Sequence, residues 1–295
     1  MIRTIWNKLK QLDDLMNRHS NMLYQTEIIM KRLHALAYID AEQYRRALFS
    51  DAKYREGNRL EPYGFKVYSQ CDEDGIIQEI FNRIGLKSSR FIEFGVGNGL
   101  ENNTLKLLLE GWSGLWIEGN QRHVAQINGK FHDVMTAGKL QVKSALITRE
   151  NINSLIGEFF EGEIDLLSID IDGNDIHILE SISVVTPRVI IIEYKGKFPP
   201  PLSIAQRYNP EYRWSGSDYS GSSLAAITKI ANLKGYSLVC CNIVGSNAFF
   251  VRNDLLFDRF EAPFTADNHY QPTRFFLLST YPSGHPADWG PYDVV

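Results

Sequence analysis

Four acidic residues crowd the ends of two apolar runs. Asp170, Asp172 and Asp175 follow the run 164–169, and Glu193 closes the run 187–192. If both runs are strands, alternation sends Asp170 and Asp172 to the same side. Ligands of open α/β sheets bind beyond the carboxyl ends of the strands. Carboxylates gathered there suit a general base. Asp170, Asp172 and Glu193 also suit a hard cation such as Mg2+, which prefers oxygen ligands. His177, one turn further on, is a second candidate base because its ordinary pKa lies near neutrality; His123 and His269 are weaker candidates. Asp175 reads better as a residue that merely secures the start of the next helix.

A second chemical stretch lies upstream, in Arg90-Phe-Ile-Glu-Phe-Gly-Val-Gly-Asn-Gly99. Gly95, Gly97 and Gly99 alternate with other residues, and Glu93 closes the strand before them. Such glycines permit positive φ and let backbone N–H groups approach a ligand, which marks a nucleotide-type pocket. Glu118 ends the next apolar run about 20 positions later, where α/β nucleotide sites place a carboxylate on ribose hydroxyls. A nicotinamide fingerprint needs GxGxxG, and its third glycine would fall on Leu100.

These residues need a scaffold, and the pattern supplies one. Strands are predicted at 91–94, 114–118, 140–147, 164–169 and 187–193. Helices are predicted between them, around 103–111, 124–131, 151–160 and 175–181. Another helix precedes the first strand, with Ser69 or Asp72 able to cap it. Glu73 and Asp74 in its first turn either favour the positive helix end or border the pocket. Alternating strands and helices imply a parallel, doubly wound sheet of the α/β class. The strands at 237–243 and 247–251, joined by a short turn, form an antiparallel hairpin that closes it as a seven-stranded sheet. Between the fifth strand and this hairpin lies an aromatic and proline-rich insertion, 195–220, of a length that is usually functional or disordered, with aromatics that favour order.

These pieces resemble the class I S-adenosylmethionine-dependent methyltransferases, and more closely the FkbM-like enzymes found among polyketide- and glycan-modifying methyltransferases. The resemblance rests on Glu93–Gly99, Trp116-Ile-Glu118, Leu167–Asn174 and Ile192-Glu-Tyr194, and covers roughly residues 68–252. It implies a Rossmann-like sheet with S-adenosylmethionine as cofactor. Gly95, Gly97 and Gly99 would pass beside the cofactor's amino-acid moiety, and Glu93 would help bind its ammonium. Glu118 would accept both ribose hydroxyls, Ala145 would border the adenine, and Asp170 would serve cofactor and catalysis together. Some related sugar O-methyltransferases hold magnesium at this carboxylate site. The expected activity is O-methylation of a sugar hydroxyl in a glycan or glycosylated metabolite. A lipid or polyketide hydroxyl is the nearest alternative. A non-catalytic scaffold with a methyltransferase fold is the alternative of another class.

The flanks add an assembly element. Positions 2, 5, 9, 12, 16, 19, 23, 26, 30, 33 and 37 alternate spacings of three and four, a coiled-coil seam over about five heptads. Only His19 and Thr26 are strongly polar in it, and Leu15, Met22, Ile29 and Leu36 widen it. This predicts a long helix that forms homo-oligomers, the alternative being a long helix folded back on its own domain. The expected organisation is a helical segment at 1–50, a methyltransferase domain at 51–253, and an aromatic, proline-rich tail at 254–295 that wraps the body. The 295 residues carry a net charge of −4, with no basic face for nucleic acid. Cys71, Cys240 and Cys241 suggest reduced thiols, with adjacent Cys240 and Cys241 on opposite faces of a strand. No apolar run approaches the roughly 20 residues that span a bilayer. A cytoplasmic protein is expected, with peripheral membrane association still open.

Overall fold

The computed structural model describes residues 2–55, 57–278 and 283–295. The side chains of seam residues Ile2, Ile5 and Leu9, and tail residues Tyr281 and Pro282, lie outside what is described. The chain forms two compact units, 1–51 and 52–295.

The first unit is one 47-residue helix, Ile2–Leu48. No proline or glycine interrupts it, and Arg45 and Arg46 lie in its last turn, where cations favour the helix dipole. Leu12, Met16, Leu23, Met30 and Leu33 along the seam are exposed, as are Leu15, Met22, Ile29 and Leu36 beside it. Thr26 donates its hydroxyl to the Met22 carbonyl at 2.9 Å. That polar seam residue is therefore satisfied within its own helix.

The second unit is built on a seven-stranded sheet. Its strands are β1 (Arg90–Phe94), β2 (Ser113–Glu118), β3 (Leu140–Ser144), β4 (Gly162–Ile169) and β5 (Val185–Glu193). A short β6 (Ile204–Gln206) leaves the sheet, and β7 (Tyr236–Cys241) and β8 (Asn247–Arg252) return to it. The order is β3–β2–β1–β4–β5–β8–β7. The first five strands run parallel, and β8 is antiparallel to both β5 and β7. Both faces are covered, so the central strands bury both sets of side chains. Ile92, Phe94, Ile117, Ile190 and Phe250 pack on one side; Phe91, Trp116, Leu166, Ile191 and Phe249 pack on the other. Cys240 and Cys241 divide between these two cores, and all three cysteines are buried.

Of the two capping candidates, Ser69 Oγ accepts the Asp74 N–H at 3.2 Å in the first turn of the helix Glu73–Ile84, whereas the Asp72 side chain makes no cap hydrogen bond. The buried Asp74 carboxylate in turn accepts the backbone N–H groups of Val67, Tyr68 and Ser69 at 2.6–2.8 Å, holding the preceding strap. Glu73 accepts from Cys71 N and from the side chains of Asn242 and Asn247, tying the helix to the β7–β8 turn. The insertion is ordered, as its aromatics lead one to expect. β6 pairs antiparallel with β9 (Tyr292–Val294), so the end of the tail is a strand partner of the insertion.

Candidate active site

The turn after β1 fixes one side of the site. Gly95 has φ +72°, and a Cβ there would come within 1.7 Å of the Asp170 carbonyl oxygen. Only glycine lets the loops after β1 and β4 touch. Gly97, at φ +55°, donates its N–H to Glu118 Oε2 at 2.8 Å. The other Glu118 oxygen accepts from Asn120 N at 2.7 Å. Glu118 is thus aimed before any ligand arrives, and each oxygen keeps a lone pair for a hydroxyl. His123 Nδ1 lies 3.8 Å from Glu118 Oε1.

Glu93 and Gly99 sit behind this turn rather than along a cleft. The Glu93 carboxylate accepts from Asn103 N at 2.8 Å and from the Thr104 hydroxyl at 2.5 Å, which itself accepts from Trp116 Nε1. Burial pushes the Glu93 carboxyl up to about 7, against these hydrogen bonds. Its observed contacts hold the chain entering the helix Leu105–Leu109. A Cβ on Gly99 would come 2.9 Å from the rings of Trp116 and Phe131, so that glycine serves close packing.

Two clefts open at the carboxyl ends of the strands. One, of about 510 Å³, runs from Gly97 and Glu118 past Ala145, Leu146 and Ile147 to Asp170 and Asp172. The other, of about 380 Å³, is lined by Gln70, Glu193, Lys195, Trp214, Asp218, Phe275 and His285 among others. They meet at Gly95, Asp170, Asp172 and Trp214.

One carboxylate oxygen from each of Asp170, Asp172 and Glu193 lies within 4.8 Å of the others. Asp170 is raised well above the usual carboxylate range by desolvation and by the charges of Glu193 and Asp172. Asp172 is pushed up to about 7 by desolvation and by Glu193. It sits at φ +57°, a left-handed conformation that Asp and Asn tolerate better than most residues. Asp175 accepts from Ile171 N and Gly173 N at 2.8 and 2.7 Å, so it holds the loop before the helix Asp175–Ser181, whereas the sequence leads one to expect capping of that helix. Lys195 Nζ lies 2.7 Å from Glu193 Oε1, and the three carboxylates hold Lys195 firmly protonated, above its ordinary value. Glu193 Oε2 is buried and has no hydrogen-bond partner among the described residues.

His177 is not brought to this group. Its Nε2 lies 2.7 Å from the Gln206 carbonyl and its ring meets Tyr208 edge-on, so it braces β6. His269 is buried and pushed down to about 4 by desolvation, with Nε2 at 3.0 Å from the Glu261 carbonyl. Sequence reasoning missed Lys195 and His285, and reached Trp214 only as one aromatic of the insertion. Lys195 had a signal, because a residue two beyond Glu193 on an extended chain shares its side. Trp214 and His285 reach the cleft from separate loops and carry no local signal.

Five parallel strands closed by an antiparallel hairpin, with an acid after β2 bonded to a glycine turn after β1, are the arrangement of the Rossmann-like class I methyltransferase fold. Residues 68–205 match the family described as the methyltransferase FkbM domain. No curated protein matches the chain. Among solved structures it is similar to the N-terminal domain of EvdMO1 with SAH bound: 17% identity, 65% of this chain and 90% of that one, TM-score 0.40. It is also similar to a S-adenosylmethionine-dependent methyltransferase from Clostridium acetobutylicum ATCC 824, with 13% identity over 60% of this chain and 89% of that one, TM-score 0.37. An O-methyltransferase family protein from Burkholderia thailandensis shares 12% identity over 61% of this chain and 57% of that one, TM-score 0.38. Likenesses this distant say nothing about substrate.

Proposed function

We propose that the protein transfers the methyl group of S-adenosylmethionine to a hydroxyl of a sugar in a glycan or glycosylated metabolite. The observation that carries this reading is the meeting of two clefts at Asp170 and Asp172. The larger cleft fits the cofactor: Glu118 is positioned for ribose hydroxyls, and Ala145, Leu146 and Ile147 offer an apolar wall for a purine. Bound there, the cofactor supplies an electrophilic methyl carbon. The chain's own residues align the acceptor and take its proton. Asp172, raised to about 7, is matched to that proton transfer at neutral pH. Lys195 stays cationic and offsets the crowded negative charge.

The acceptor cleft supports a sugar over a lipid or polyketide chain. Gln70, Lys195, Asp218 and Asn247 provide hydrogen-bonding groups, Trp214 and Phe275 provide rings, and Leu278 is the one aliphatic hydrocarbon side chain described along it. Rings against a polar wall suit a ring with one apolar face and several hydroxyls.

Asp170, Asp172 and Glu193 are the residues that would hold Mg2+. All three are oxygen donors, and the unpartnered Glu193 Oε2 is an open position for a hard cation. The cation would polarise the acceptor hydroxyl, and its charge would lower the pKa of the carboxylates around it. The test is a methyl-transfer assay across methyl glycosides of hexoses and deoxyhexoses, with and without chelator. Transfer to at least one sugar, reduced by chelator and restored by Mg2+, is expected. Transfer only to fatty alcohols would overturn the sugar reading. S-adenosylhomocysteine binding with no transfer to either acceptor class would favour the scaffold.

We also propose that the N-terminal helix assembles copies of this chain. A 47-residue helix exposing a continuous apolar seam depends on burying it to be stable in water. Introducing Leu23→Asp together with Met30→Asp should reduce the mass by light scattering to that of one chain, with S-adenosylhomocysteine binding unchanged. An unaltered mass would remove the seam from consideration. Among the described residues no helix is long and apolar enough to cross a membrane. Buried thiols at Cys240 and Cys241 are compatible with a reducing cytoplasm, our proposed location.

A further inference from the structure

We propose that Trp214 is a positioning residue that couples occupancy of the donor cleft to the shape of the acceptor cleft, through the strap 207–219 that carries it. The proposal rests on the larger cleft being the donor cleft. The strap does two jobs. Pro210, Tyr212, Arg213 and Trp214 line the donor cleft, whereas Trp214, Ser217 and Asp218 line the acceptor cleft. Trp214 alone among strap residues belongs to both.

On the donor side the strap rests on the loop after β4. Asn174 Nδ2 donates to the Asn209 carbonyl at 2.8 Å, and the Tyr212 ring lies over Gly173, where a Cβ would come within 2.6 Å of it. On the acceptor side it is joined to the tail. Asp218 N donates to the Pro286 carbonyl at 2.9 Å, and Asp288 N to Asp218 Oδ1 at 2.8 Å. The Trp214 ring meets His285 edge-on at 4.8 Å, and His285 meets Phe275 at 5.7 Å. A displacement of Trp214 is therefore felt directly by the far wall of the acceptor cleft.

The strap has reason to respond to the donor. It contains no helix or strand, and Glu211, Arg213 and Ser215 are exposed. Segments with few buried contacts open at low free-energy cost. Arg213 also brings a positive charge to a cleft whose carboxyl-bearing lining residues are Glu118, Asp170 and Asp172. A ligand carrying a carboxylate meets that charge only with the strap down, which gives it a differential affinity for the closed arrangement.

The test is amide hydrogen exchange on the full-length protein with and without saturating S-adenosylhomocysteine, with calorimetry alongside. Exchange across 207–219 should slow by at least about tenfold. Slowing should extend to 284–288, which line no part of the donor cleft. Trp214→Ala should still bind the ligand and protect 208–213, while 284–288 returns to its ligand-free rate. Trp214→Phe, which keeps a ring, should retain the spread. Binding with protection confined to the regions of Gly97, Glu118 and Ala145 would overturn the coupling, as would a spread surviving in Trp214→Ala. An absence of binding in calorimetry would overturn the donor reading and the coupling together.

Discussion

Replacing Glu118 with alanine should weaken S-adenosylhomocysteine binding by at least about 100-fold in calorimetry. Glu118 is buried at the end of β2, held by the N–H groups of Gly97 and Asn120, and opens onto the larger cleft. Its oxygens would accept two ribose hydroxyls, and hydrogen bonds to a charged group contribute roughly 1.5 kcal/mol or more each. Two such losses multiply to the stated factor, since about 1.4 kcal/mol is tenfold. Alanine also frees the two backbone donors that shape the glycine turn. Glu118→Gln separates these effects, because its carbonyl oxygen still accepts while its amide repels one N–H. It should fall between wild type and Glu118→Ala. Wild-type affinity in Glu118→Ala would remove the cofactor from this cleft.

The second large effect is on chemistry. Asp172→Asn should lower the rate of methyl transfer by about 10²- to 10⁴-fold, the usual contribution of a general base. Asparagine is the right probe because it tolerates the positive φ that Asp172 adopts, so the loop survives. S-adenosylhomocysteine affinity should stay within about threefold, well under the tenfold that 1.4 kcal/mol would bring. The pH dependence carries the sign. A base works when deprotonated, so in chelator the wild-type rate should rise with pH through about 7, where desolvation and Glu193 have pushed Asp172. With Mg2+ bound that rise should move to lower pH, because the cation favours the ionised carboxylates. Asp172→Asn should lack the rise near 7. A variant that keeps both rate and profile would transfer the role elsewhere, with Asp170 first in line.

The contrast between Glu93 and Glu118 shows what each level of description carries. Both end a strand beside the glycine turn, and the sequence treats them alike. In the fold one faces a cleft, and the other is spent on Asn103 and Thr104. Which way a strand-end side chain is used depends on which neighbours arrive with unsatisfied N–H groups, and those come from other segments. The same holds for Glu73 and Asp74, which look like ordinary first-turn acids but bind the strap and the hairpin turn.

By itself the sequence determined the parallel sheet, its closing hairpin, the long N-terminal helix, the glycine turn and the carboxylates after β4 and β5. These follow from periodicity, chain punctuation and strand-end chemistry, all local along the chain. Only the tertiary structure decided that His177 braces β6 while His285 walls a cleft. It also decided that Lys195 pairs with Glu193, and that the insertion and tail join through β6 and β9 to build the acceptor side. The physical reason is sequence separation: Trp214, His285 and Glu193 meet through folding of distant loops, and no pattern along the chain records that meeting.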